Sequence, residues 1–333
     1  MHWNSLVDLI QKTAAVVSIF LNCFLTYLII FKSPKQLGAY KYLMIYIAWF
    51  EIVYSILDFA IAPIMFSDGS ILVVMVHTKY SPIPSWILLM LTGCYCFCFG
   101  ASMGMFALHF IYRYFVSTGS KYLKTFNGYR IIYWMMIPVI YGLIWGFICY
   151  FVFSPSDEIN RMLKNKLMIT FGWEIEDIVY LGPYFHQLQP DGSYVIDLTA
   201  VVGVAGNWII IFSSLCAILY FAIKCYWKIS RLMKMKQNND SNNLKNLQSQ
   251  LFNALVTQTV IPVILMHFPL TTILIFAVLN KDLGTLSGIS SITIALFPAL
   301  DPLPSMFIIK NYRTTIFGYF KITKVKSASV PLN

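Results

Sequence analysis

Residues 86–114 read WILLMLTGCYCFCFGASMGMFALHFIYRY, and the fold is decided here. From Trp86 to Tyr112 the stretch is apolar, with His109 its only ionisable side chain, and it then meets Arg113. As a helix these 27 residues would reach about 40 Å at ~1.5 Å per residue, enough to cross a bilayer with some tilt. Counting back from Arg113 at ~3.6 residues per turn, His109, Phe106, Ser102, Phe99 and Tyr95 share one face. That face holds most of the polar and aromatic groups, which a lipid-facing stripe would not. The helix is therefore expected in the middle of a bundle, with Tyr95 near one surface and Arg113 at the other.

The rest of the chain agrees. It has 333 residues, 58% of them hydrophobic and 11% charged, against about 25% charged in soluble domains. Six further apolar runs give seven expected spans, near 13–31, 40–66, 86–112, 131–153, 201–226, 250–279 and 287–309. Residues 1–12 read as a short polar tail, and Pro63 as a bend in the second span. Residues 67–85, with Asp68-Gly69-Ser70, read as a loop, and 113–130 as another. The first run follows Lys12 without a cleavage site, so it reads as a retained signal anchor. An all-α membrane protein, a seven-helix bundle, is the fold class.

Loop charge sets the orientation. Residues 32–41, 113–130, 224–249 and the tail from Lys310 hold 18 of the 24 Lys and Arg and a single acid, Asp240. The opposite loops and the N-terminus hold six basic residues and ten acids. The positive-inside rule then puts the N-terminus outside, with loop 227–249 and the tail 310–333 in the cytosol. The net charge of +10 is thus sorted by loop and is no sign of nucleic-acid binding. The sequon Asn239-Asp240-Ser241 falls on the cytosolic side and should stay unmodified. The polar run 237–243 should be flexible. The tail is expected to lie along the membrane surface before fraying.

Charges at bilayer depth cost about 2.5–3.5 kcal/mol each on insertion scales, so each needs a reason. Glu51 and Asp58 share one face of the second span, and Asp301 lies in the seventh. By depth, Asn22, Glu51 and Asp301 could meet in the inner half, as a polar switch or as a static packing network. Two acids so close cannot both be ionised without a cation, so one should be protonated or hydrated. Pro262 and Pro269 in the sixth span, with Pro298 and Pro302 in the seventh, mark hinges. His267 lies between the first two, with Thr271 one turn outward; it could face a cavity or simply bond a neighbouring helix. Gly100-x-x-x-Gly104 and Gly142-x-x-x-Gly146 permit close helix contact, within the chain or in a homo- or hetero-dimer.

Residues 154–200 carry seven acids and three basic residues. Pro155-Ser156-Asp157-Glu158 opens like a helix start, and Trp173, Tyr180, Tyr184, Phe185 and Tyr194 give the loop apolar weight. A folded lid over the outer mouth is expected. None of the seven cysteines lies in a long polar loop, so a disulfide framework is not expected. Cys94, Cys96 and Cys98 lack zinc spacing, and Cys225 at a membrane edge could be palmitoylated. No metal, no cofactor and no enzyme motif is read.

Several stretches together resemble a known family: KSPKQLGAYKYLMIY (32–46), FEIVYSILDF (50–59), HFIYRY (109–114), LQSQLFNALVTQTVIPVILMHFP (247–269) and SGISSITIALFPALDPLPSMFIIKNYR (287–313). They are similar to nematode serpentine chemoreceptors of the Str class, which includes the diacetyl odorant receptor. The resemblance implies a rhodopsin-like G-protein-coupled receptor in the plasma membrane of chemosensory neurons, in sensory cilia. It implies a small, volatile odorant and a heterotrimeric G-protein α subunit as partners.

Tyr112-Arg113-Tyr114 stands where rhodopsin-like receptors keep an acid-Arg-Tyr triplet, which assigns Arg113 and Tyr114 to G-protein coupling. Asp301-Pro302 resembles their seventh-helix Asn/Asp-Pro pair. Two departures follow. Arg113 has no adjacent acid, and residues 154–200 lack the cysteine that would tie the lid to the third helix. Tyr95, Phe99, Ser102, His267, Thr271 and Ser290 are the candidate ligand lining. A seven-span ligand-gated cation channel would need a cytosolic N-terminus, the reverse of the loop charges. A transporter would need related halves, and none is visible.

Overall fold

The computed structural model describes residues 2–79, 81–188, 193–234 and 239–328. Among them, seven helices are long and apolar enough to cross a membrane. α1 (His2–Lys32), α2 (Tyr40–Ile61), α3 (Ser85–Thr118) and α4 (Ile131–Phe147, extended by a π turn Ile148–Val152) form the first four spans. The expected polar tail is instead helix: from His2 the chain already belongs to α1. Gln11 is buried there and donates from Nε2 to the Pro63 carbonyl at 2.9 Å.

Pro63 does not bend α2; it follows its end. The helix stops at Ile61, Ala62 turns in the left-handed region at φ 40°, and the chain becomes extended; Pro63, without an N–H, cannot continue the helix. β1 (Ile64–Asp68) and β2 (Ile71–His77) then form a hairpin through Gly69 and Ser70, with Asp68 opposite Ile71 and Gly69 at φ 52°. The expected loop 67–85 therefore contains the end of β1 and all of β2. The signal was Asp68-Gly69 between two apolar runs.

The lid is folded. α5 (Asp157–Phe171) begins where Ser156 Oγ accepts from the Ile159 N–H, carries Asp157 and Glu158 in its first turn, and ends on Gly172 in the left-handed region. Then β3 (Ile178–Leu181) pairs antiparallel with β2, giving the order β1-β2-β3, and β4 (His186–Leu188) pairs with β5 (Tyr194–Ile196). Residues 189–192 of the lid lie outside the described residues. The sheet is covered on both faces. Met65, Leu72 and Val76 join the bundle core, while Phe66, Val73 and Met75 pack with Ile159, Leu163 and Leu167 of α5. A strand buried on both sides is apolar throughout, so β1 reads in sequence as more of the second span.

α6 (Leu198–Lys234) and α7 (Asn239–Pro262) run beyond their expected spans, so most of 227–249 is helix rather than loop. Of the run 237–243, Gln237 and Asn238 lie outside the described residues, and from Asn239 it is helical. The sixth span continues through a π turn (Val263–His267) into α8 (Phe268–Val278). The seventh is α9 (Ile289–Leu300), interrupted at Asp301 and resumed as α10 (Pro302–Ile308). α11 (Lys310–Ala328) follows, with Tyr312 and Ile316 buried against the bundle; residues 329–333 lie outside the described residues.

α3 is the central post. Tyr95, Phe99, Ser102, Phe106, His109 and Arg113 are all buried, and the helix runs to Thr118, six residues beyond Tyr112, capped by Gly119 at φ 64°. Both glycine stripes lie in the α3–α4 contact. A Cβ on Gly104 would sit 3.3 Å from the Pro138 backbone, and one on Gly142 2.8 Å from the Phe97 carbonyl. The stripes thus serve packing within the chain.

Candidate functional site

A cavity of about 100 Å³ opens among α3, α4, α6 and the sixth span, roofed by the sheet. Tyr95, Phe99, His267 and Thr271 line it, as do Trp145, Cys149, Asn207 and Trp208. Of the six expected lining residues, two stand apart. Ser102 sits behind His267, its Oγ 3.3 Å from Nε2. Ser290 is not in the lining. It lies on α9, which turns its neighbour Ser291 to accept from the Met65 N–H at 2.8 Å and contributes nothing to the cavity. Asn207 was missed, although a lone amide in an apolar span is itself a signal.

The roof is a strand-and-turn segment. Gly182 N–H donates to the Phe153 carbonyl at 2.9 Å, and the Leu72 N–H to the Pro183 carbonyl at 3.1 Å. Leu72, Leu181, Gly182 and Pro183 therefore close the outer side of the cavity. All seven cysteines are free, so strand pairing and the α5 core hold the lid where a disulfide is lacking. Lys166–Asp68 (2.7 Å) and Lys79–Asp177 (2.8 Å) add surface ion pairs across the lid.

His77 stacks on Trp173 at 4.4 Å between ring centroids. Burial lowers its pKa from the usual 6.5, against the pull of Asp177. A lowered histidine pKa favours the folded lid above the ordinary value, and that contribution is lost as pH falls through the folded one. Protection factors of amides in β2 and β3, corrected for the intrinsic exchange rate, are expected to fall as pH drops below 6.5, and His77→Phe to remove that part of the change. An identical pH response in the variant would exclude His77.

At the inner edge of the cavity the sixth span changes register. Pro269 has no N–H for a preceding carbonyl, and Pro262 immediately precedes the π segment that carries His267. In the seventh span Pro302 cannot donate to the Pro298 carbonyl. Asn22 Nδ2 donates there instead, at 3.0 Å. Gln258, not anticipated from sequence, donates from Nε2 to both the carbonyl and Oδ2 of Asp301 at 3.0 Å and accepts from Ser305. Glu51 is buried near Asp301 and Asn22, with neither carboxyl oxygen hydrogen-bonded among the described residues. Asn22, Glu51 and Asp301 therefore do meet. Among the described residues no basic side chain forms an ion pair with them. Asn22→Leu orphans the Pro298 carbonyl and should cost about 1–3 kcal/mol. A melting temperature unchanged in detergent would contradict this.

At the other end of α3, Arg113 is 2% exposed. Its Nη2 donates to the Gln248 carbonyl of α7 at 2.8 Å, and its guanidinium lies 5.0 Å from the Tyr40 ring centre. Tyr40 is fixed by stacking on Tyr112 (5.3 Å) and by its hydroxyl 3.3 Å from His109 Nδ1. His109 Nε2 bonds the Leu43 carbonyl at 3.1 Å. Tyr114 is half-buried against Phe221 of α6, 5.3 Å between rings. The missing acid is replaced by an aromatic face and a backbone carbonyl.

Seven helices around a buried central post, a cavity at one end and a caged arginine at the other define a rhodopsin-like receptor bundle. Squid rhodopsin has the same fold, with a TM-score of 0.59 over 94% of this chain and 80% of that one, at 10% identity. The family model of serpentine-type seven-transmembrane chemoreceptors, Str, matches residues 7–317, and the chain belongs to that family. It is 36% identical over 311 residues to "G-protein coupled receptor str-217" of Caenorhabditis elegans, covering 93% of this chain and 88% of the relative. It is 27% identical to "Serpentine receptor class r-10" of the same organism, covering 95% and 91%. The chain is thus a multi-pass membrane chemoreceptor of the G-protein-coupled type, and not an enzyme.

Proposed function

We propose that this receptor detects a small odorant in the outer cavity and passes the signal to a heterotrimeric G-protein α subunit at its basic face. The observation that carries the reading is the span of α3. Tyr95 and Phe99 line the cavity, and Arg113, on the same helix face, contacts α7. The α7 backbone that accepts from Arg113 continues into the π turn bearing His267. Ligand contact with His267 can therefore bias the position of the α7 end that Arg113 holds.

The π turn at Pro262 and Pro269, and the break at Asp301 between Pro298 and Pro302, act as hinges. Asn22, Glu51 and Asp301 act as the polar switch between two bundle arrangements. The ligand shifts these only by its affinity difference between them. Arg113 and Tyr114 couple to the α subunit. The site of action is the plasma membrane, in the sensory cilium.

Calcium imaging of cells expressing the receptor against an odorant panel tests this. A response that a G-protein inhibitor removes is expected. A current persisting in excised patches without nucleotide would overturn it.

A further inference from the structure

The cavity lining contains no Asp, Glu, Lys or Arg. An ionised ligand would lose its hydration there with no counter-charge, so the occupant is neutral. The volume of about 100 Å³ compares with the ~150 Å³ engineered cavity that admits benzene. The occupant therefore has only a handful of heavy atoms.

Two hydrogen-bond acceptors in the lining lack a donor. Asn207 is 4% exposed, and its Oδ1 has no partner among the described residues. Its Nδ2 reaches only Cys149 Sγ, at 4.0 Å. The second acceptor follows from proton counting at His267. Ser102 Oγ gives its single proton to the Phe99 carbonyl at 2.8 Å, so it accepts in its 3.3 Å contact with His267 Nε2. His267 is then the Nε2–H tautomer, and Nδ1 keeps a bare lone pair. No described group donates to it.

A buried acceptor left unpaired carries its full desolvation cost, and a ligand donor relieves it. We infer that the cavity selects a compact neutral alcohol over the carbonyl compound of the same shape, with Asn207 Oδ1 and His267 Nδ1 as alternative acceptors of its one hydroxyl proton. A ketone can accept from Asn207 Nδ2 but leaves both bare acceptors unpaired, whereas an alcohol can relieve one of them. This rests on taking the cavity as the ligand site.

The test uses the full chain in lipid nanodiscs, with Trp145 and Trp208 in the lining as fluorescent reporters. The probes are propan-2-ol, acetone and protonated isopropylamine. Propan-2-ol is expected to bind about tenfold or more tighter than the ketone, with the amine silent. Asn207→Leu should shrink the preference to within about threefold, and His267→Phe should shrink it too. Equal or tighter ketone binding, binding of the amine, or no binding of any probe would overturn the inference. So would an undiminished preference in variants that melt like wild type. If a variant fails to fold, the wild-type preference alone decides. An alcohol preference without G-protein signalling in cells would sink the receptor reading and leave this one standing.

Discussion

Arg113→Ala should abolish ligand-evoked signalling while surface expression stays within about twofold of wild type. The guanidinium is buried without an acid, so truncation removes a desolvated cation along with its bond to Gln248 and its place over Tyr40. The loss in stability is then modest, because no opposite charge is left stranded. What disappears is a charged group that links α3 to α7 at Gln248. Tyr40→Leu supplies the contrast. It keeps the cation but removes the aromatic face that holds it, and basal signalling should rise. Responses unchanged in Arg113→Ala would remove the residue from the coupling role.

Gly182→Val is expected to have the largest effect on folding. A Cβ there would collide with the Leu72 carbonyl oxygen and lie 2.7 Å from Val73 Cα. Both atoms belong to the β2 backbone, which is clamped between β1 and β3 and cannot yield as a side chain can. Overpacking a core costs about 1–3 kcal/mol even where side chains can move, so a backbone collision should exceed that. Loss of the lid from its seat should show as intracellular retention and a fall in melting temperature of several degrees. Gly172→Ala is the matched control. That residue has open space around it, and its strain comes only from φ 69°. Wild-type surface levels for Gly182→Val would mean the roof is not packed as described.

Much of this was legible before the structure. The face of α3 from Tyr95 to Arg113 follows from helical spacing alone, because a polar and aromatic stripe has no place against lipid. The meeting of Asn22, Glu51 and Asp301 follows from depth counting. The strands were less so. β1 is buried on both faces, so it lacks the alternation that marks a half-exposed strand and merges with the span before it; β2 was read with the loop 67–85, its one signal being Asp68-Gly69. Long-range choices were also hidden. Nothing local to Arg113 announces Tyr40 or the Gln248 carbonyl as its partners, and nothing near Pro298 announces Asn22 as the donor for its carbonyl. Ser290 was misplaced because helical spacing fixes a face but not which neighbour it meets.

The central claim is that the cavity faces the outside and Arg113 the cytosol, and epitope tags on both ends test it directly. In intact cells an antibody should reach the amino-terminal tag and miss the carboxyl-terminal one until the membrane is permeabilised. An amino-terminal tag hidden in intact cells would reverse the bundle and contradict the account.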